Sequence, residues 1–190
     1  MKISLEVISM RKDILIIGFV VLLIAVLFSG TKIQSVEDYY QTHIDDINED
    51  SETVFITIEA RTVLKHWDEL DAELKDEKYI PRDGMILEKS EYVLRKNDTA
   101  FDVLKRATRH NQIHLDFQGA SENSFNSAYI KGINHLYEFS CGNLSGWMYE
   151  VNGEFPDYGI SRYNIEDGDE LALRYTCDLG RDLENGININ

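Results

Sequence analysis

Apolar and polar side chains alternate through "VFITIEARTV": Val54, Ile56, Ile58 and Ala60 fall on one side, Phe55, Thr57, Glu59 and Arg61 on the other. That period of two predicts a strand with one buried face. "HWDELDAELKDE" changes the period, because Trp67, Leu70 and Leu74 stand three and four apart. This predicts a short amphipathic helix with a charged outer side, stopped by Pro81. In "RDGMILEKSEYVLRKN" two apolar runs, Met85 to Leu87 and Tyr92 to Leu94, flank a polar middle, as in a hairpin or a bent strand.

The main helix is predicted over "NDTAFDVLKRATRHN". Asp98 or Thr99 can cap its first turn, and Asp102 stands near the positive end of its dipole. Phe101, Leu104 and Ala107 make one buried stripe, and Lys105, Arg106, Arg109 and His110 gather toward the C-terminal end. Short extended runs follow: "IHLDF", "AYIKGI", "LYEF", "WMYEV" and "ELALRYT". Asn152-Gly153 suits a tight hairpin, and Asp167-Gly168-Asp169 a turn. Strands around one long helix predict an α+β domain in which that helix covers one face of a mixed sheet. After Thr176 the chain reads as frayed. No internal repeat is visible.

One segment breaks this pattern. Ile14 to Thr31 carries no charge, and about 18 residues at about 1.5 Å each approach a hydrocarbon core of about 30 Å. The competing reading, a cleaved signal peptide, needs small residues at alternate positions of the cleavage site. Leu27-Phe28-Ser29 and Phe28-Ser29-Gly30 lack them, so an uncleaved transmembrane anchor is expected, its partner the lipid bilayer. Lys2, Arg11 and Lys12 precede it, and acidic residues follow. The positive-inside rule then leaves the N-terminus in the cytoplasm and the rest outside, as a single-pass protein of the cell membrane. The expected organisation is a stub and anchor over 1–31, an acidic spacer over 32–51, a domain over 52–180 and a flexible tail over 181–190.

Charge and candidate chemistry narrow the function. With 19 basic and 34 acidic residues and a net charge of −15, the chain offers no basic stripe, and nucleic acid is not expected as a partner. Cys141 and Cys177 both fall in the exported part, where an even pair can close a disulfide; two buried thiols are the alternative. No zinc spacing surrounds them. His110 and His114 straddle the helix end without the Glu of a zinc protease, and "GISRY" lacks the second glycine of a nucleophile elbow. "DDINED" lacks the glycine and the terminal Glu of a calcium loop. Neither an enzyme, a metal nor a cofactor is expected. In "SGWMYEVNGEFPDYG" the alternation turns Trp147, Tyr149 and Val151 toward the core and Glu150 outward. Met148, Phe155 and Tyr158 remain as candidates for an exposed apolar rim.

The run "DTAFDVLKRATRH", "NSAYIKGINHLYEF", "SGWMYEVNGEFPDYGISRY", "DGDELALRYT" resembles the transcobalamin-like C-terminal domain, a family of membrane-anchored or secreted Gram-positive proteins. The resemblance extends from Val54 to Gly180. It implies a β-grasp fold of the soluble-ligand-binding type and, as ligand, a cobalamin-like small molecule. The wall it implies is Tyr129 and Ile130, then Trp147, Met148, Tyr149, Glu150 and Val151, and the hairpin around Phe155; Tyr158, a rim candidate, is expected to join it. The animal carriers close their pocket with a large helical barrel that this chain does not contain. A partner protein or transporter is therefore expected to complete the site. The alternative is a cell-surface module that binds protein or polysaccharide.

Overall fold

The computed structural model describes residues 17–22, 45, 47–124 and 126–183. Two units are distinguished, Met1–Tyr39 and Tyr40–Asn190. In the first, residues 17–22 are helical with exposed side chains. The rest of the expected anchor, Ile14 to Thr31, lies outside the described residues. So do most of the spacer and residues 184–190. Among the described residues no helix is long and apolar enough to cross a membrane.

The second unit is mixed α+β. Its elements are β1 (Thr53–Glu59), α1 (Arg61–Lys65), β2 (Met85–Val93), α2 (Ala100–His110), β3 (Leu115–Gln118), β4 (Tyr129–Ile133), β5 (Leu136–Tyr137), β6 (Gly146–Val151) and β7 (Glu170–Thr176). Single 3-10 turns stand at Ala72–Leu74, Ala120–Glu122 and Ile160–Arg162. Two sheets form where one was expected. The larger has the order β2-β1-β7-β6, with β1 and β7 parallel and the outer pairs antiparallel. The smaller, β3-β4-β5, is antiparallel. The separation arises after β5, where Phe139 at φ 67° and Gly142 at φ 92° turn the backbone out of strand geometry.

The alternation read from the sequence is the alternation that packs. Val54, Ile56 and Ile58 of β1 join Leu171 and Leu173 of β7 against Phe101, Val103, Leu104 and Ala107 of α2. Each large aliphatic side chain buried here contributes about 1.5–3 kcal/mol. Thr99 caps α2: its hydroxyl accepts from the Asp102 amide, and the Asp102 carboxylate accepts from the Thr99 amide. Asp98, the other cap candidate, instead accepts two hydrogen bonds from Arg106 and one from the Arg95 amide.

Two expectations fail locally. The strand expected to run on to Val63 ends at Glu59, because the Ala60 amide turns to the Gly84 carbonyl and α1 begins. The helix expected over 66–77 is reduced to one 3-10 turn. The Asp71 amide donates across the chain to Ser140 O, and Asp71 is extended at φ −50°, ψ 131°. Leu70 is buried all the same, in a second cluster with Val63, Ile80, Leu136 and Tyr175. The segment 82–97 resolves to one bent strand, β2, with register shifts opposite Ile56 to Glu59.

On the far side of the larger sheet, away from α2, Phe55, Thr57, Met148, Ala172 and Arg174 are only partly buried. Arg174 bridges Glu59 at 2.7 Å and Glu150 at 3.1 Å there. Burial opposes its charge, but the two carboxylates outweigh that and raise its pKa. The stretch after Thr176, expected to be frayed, is held through 183: Asp182 accepts from the Cys177 amide and the Thr176 hydroxyl, and Leu183 is buried.

Candidate functional site

The nine residues expected to form one wall are divided by the fold. In β6 the pairing sets Trp147, Tyr149 and Val151 beside Tyr175, Leu173 and Leu171, on the α2 side. Met148 and Glu150 pair with Arg174 and Ala172 on the opposite face. Val151 and Ile130 belong to the core and present little surface. Trp147 is half-buried: its indole N–H donates to Leu136 O at 2.8 Å, and its ring meets Tyr175 edge-on at 5.3 Å. Buried polar edges need partners of this kind.

Three of the nine reach solvent together with neighbours that hold them. Tyr158 is 50% exposed, and its ring stacks on Tyr163 at 5.7 Å with planes 15° apart. Tyr149 meets Tyr163 edge-on and donates its hydroxyl to the Tyr158 carbonyl. Burial, then the neighbouring Tyr158 and Tyr163, push the Tyr149 phenol up. Tyr129, on β4, is 39% exposed and donates to the Glu138 carboxylate. Burial and that carboxylate push its phenol up to about 12. Phe155 is partly buried.

The loop that carries Tyr158 is anchored from below. Gly159 follows Tyr158, and a Cβ built there would stand 2.1 Å from the Ser127 hydroxyl oxygen, so any side chain there would force Ser127 to shift. Ser127 is 1% exposed; its Oγ lies 2.9 Å from Ser161 Oγ and accepts from the Ser161 amide at 3.2 Å. Ser161 Oγ also accepts from the Ala128 amide at 2.9 Å. This serine pair ties the start of β4 to the 3-10 turn beyond Tyr158.

Residues passed over in the sequence complete the picture. Tyr163 closes "GISRY", a segment in which only the serine carries a chemical signal. Phe139 is 60% exposed with φ 67°, and Leu179 is 48% exposed with φ 50°. Exposed Leu144 lies between them: the Phe139 amide donates to Ser145 O, and the Leu179 amide to Leu144 O. No local sequence signal marks a phenylalanine for left-handed backbone, which bulky residues adopt rarely.

Behind these loops the two cysteines meet. Both are buried thiols, Sγ to Sγ 3.1 Å, and Cys141 Sγ also lies 3.6 Å from the His66 carbonyl. The hydrogen bond from Cys177 lowers the Cys141 pKa, and the same contact with burial raises that of Cys177. His110 and His114 do not converge. His110 Nδ1 lies 3.1 Å from the Tyr92 hydroxyl, whereas His114 stacks on His135 at 4.3 Å. Among the described residues no group of three or more His, Cys, Asp or Glu could hold a metal.

The fold is a small mixed α+β module with a partly exposed aromatic edge. The profile of the family described as Domain of unknown function (DUF4430) matches residues 97–176. This part of the chain, less than half of it, is similar to that family. The match begins at Asn97, not at Val54. No curated protein sequence matches. Solved structures similar to this chain include haptocorrin in complex with Cbi, at 15% identity and a TM-score of 0.43, covering 70% of this chain. This chain spans 27% of the length of haptocorrin. Another is a metal-binding protein candidate from Ruminococcus gnavus ATCC 29149, at 10% identity and a TM-score of 0.40, covering 66% of this chain and 96% of that one.

Proposed function

We propose that the domain is a β-grasp-type ligand-binding module, carried outside the cell on the apolar segment Ile14 to Thr31, and that its ligand is a ring-bearing small molecule of the corrinoid kind. The parallel pairing of the first and last strands at the centre of the larger sheet supports the β-grasp reading. The observation that carries the ligand reading is Tyr158. One face of its ring is stacked on Tyr163, its backbone is held by Tyr149 and the serine pair, and half of it is open to solvent. A ring locked in this way loses little conformational freedom when a second ring stacks on it. Tyr129 supplies a second exposed ring on β4. A single edge of this kind binds weakly, so a transporter or partner protein completes the site.

The test is equilibrium dialysis of the full chain against cobalamin, read by the visible absorbance of the corrinoid. Binding weakened about tenfold or more by Tyr158→Ala is expected. No uptake of corrinoid at any accessible concentration would end the corrinoid reading. A second reading, a cell-surface module that docks a protein, is favoured by the tip formed by Phe139, Leu144 and Leu179. In that case Phe139→Ser abolishes capture of a surface partner while Tyr158→Ala leaves it intact.

A further inference from the structure

The two-residue turn between β4 and β5 is Asn134-His135, and both residues stand in left-handed backbone, at φ 50° and 64°. Asparagine and histidine are among the residues that adopt it most readily. The turn is fastened to its surroundings. The Asn134 amide donates to His114 O at 2.8 Å, and its side-chain nitrogen donates to Tyr79 O at 2.9 Å and to Lys78 O at 3.1 Å. Next to these bonds the His135 imidazole lies flat on that of His114, with centroids 4.3 Å apart and planes within 14°, and meets the Tyr79 ring edge-on at 5.6 Å. One turn thus grips two segments, the residue ahead of β3 and the loop ahead of β2.

This stack suits neutral rings better than charged ones. His135 is exposed, whereas His114 is half-buried. The Nδ1 of His114 is closed off without a hydrogen-bond partner, and its Nε2 lies 3.4 Å from the Tyr137 hydroxyl. The other titratable groups around the pair are Lys78 and Tyr79 of the loop, Asp116 of β3 and Tyr137 of β5. Asp116 acts on the Tyr137 hydroxyl: burial first, then that carboxylate, push the phenol up and keep it protonated. The charges that reach His135 are both positive. Burial first, then His114 and Lys78, hold its pKa below the ordinary histidine value. We infer that the β4–β5 turn is an acid-released clasp, shut at neutral pH by the imidazole stack and opened when both rings carry protons. Opening moves the His135 charge into water and gives His114 Nδ1 a water partner. The closed form takes up a proton at His135 less readily than the open one. Closure is therefore at full strength above the ordinary value of about 6.5 and weakens as pH falls below it.

The test is amide hydrogen exchange of the isotope-labelled full chain, followed by NMR from about pH 7.5 to about pH 5 and corrected for the intrinsic pH dependence of exchange. Protection of the Asn134 amide is expected to fall about threefold or more across that range. That of the Phe55 amide, which donates to Asp169 O at 2.9 Å beside the larger sheet, holds. Asparagine accepts left-handed backbone, so His135→Asn removes the titrating ring without straining the turn, and its Asn134 protection is flat with pH. Lys78→Gln takes away one positive charge and shrinks the fall. In the same samples the His135 ring titrates below the ordinary histidine value. An Asn134 amide equally protected throughout, a fall shared by Phe55 or kept in His135→Asn, or a His135 ring titrating at or above the ordinary value would overturn the inference.

Discussion

Gly159→Ala separates a structural role for the serine pair from an incidental one. A methyl at 159 would stand 2.1 Å from Ser127 Oγ and 2.2 Å from Ser127 Cβ, against about 3.6 Å for ordinary contact. The Gly159 backbone is extended, at φ −69°, so the cost is one of space and not of strain. Ser127 is closed off from water, so it can move aside only within the packed interior. Relief therefore breaks some of the three hydrogen bonds that join Ser127, Ser161 and the Ala128 amide, each worth about 1 kcal/mol. Overpacking itself costs about 1–3 kcal/mol. A loss of about 3 kcal/mol is expected, which lowers Tm by about 10 °C in a domain of this size. Urea denaturation measures the first quantity and a calorimetric melt the second. Ser127→Gly removes both atoms that the new methyl strikes, so the double variant should be less destabilised than the two single changes summed. A Gly159→Ala protein within about 0.5 kcal/mol of the original, or costs that simply add, would refute this account of how the Tyr158 loop is held.

Oxidation should join Cys141 to Cys177. The cysteines are 36 residues apart, and a loop of that length stabilises by about 4 kcal/mol in the chain-entropy model. Loss of both titratable thiols on oxidation, and a Tm that falls when reductant is added, are the expected results. Thr99→Ala should cost about 1 kcal/mol by removing the cap of α2, read by urea denaturation. At Asp102, burial raises the pKa, but hydrogen bonds from Thr99 and Lys105 outweigh it and the folded pKa is depressed. Its stabilisation is therefore present above the unfolded value of about 3.9 and is lost as pH falls through the lower folded value. The Tm difference between the original chain and Asp102→Ala should accordingly shrink below about pH 4. Ile56→Ala, at the centre of the main core, should cost about 2–5 kcal/mol, measured in the same way.

What the chain carries locally was legible before any coordinates. The alternation of Val54, Ile56 and Ile58 and of Leu171, Leu173 and Tyr175 states which face of two strands is buried, because a strand repeats every two residues. The Thr99 to Asp102 spacing and the stripe of Phe101, Leu104 and Ala107 state where α2 starts and which side it buries. Trp147 and Tyr149 were placed on the core side by the same arithmetic. Contacts between distant segments decided the rest. Leu70 has helical spacing, yet no helix forms around it, because the Asp71 amide finds Ser140 some seventy positions away. The nine residues of the expected wall sit near one another in sequence or in family pattern, but pairing sends Met148 and Glu150 through the sheet and closes Ile130 and Val151 into its core. Tyr158 is stacked only because Tyr163 returns beneath it, and Asp45 meets Arg95 only because Arg95 follows the end of β2. Periodicity is a property of neighbours along the chain. Which surfaces meet depends on how loops close, and a local pattern does not contain that.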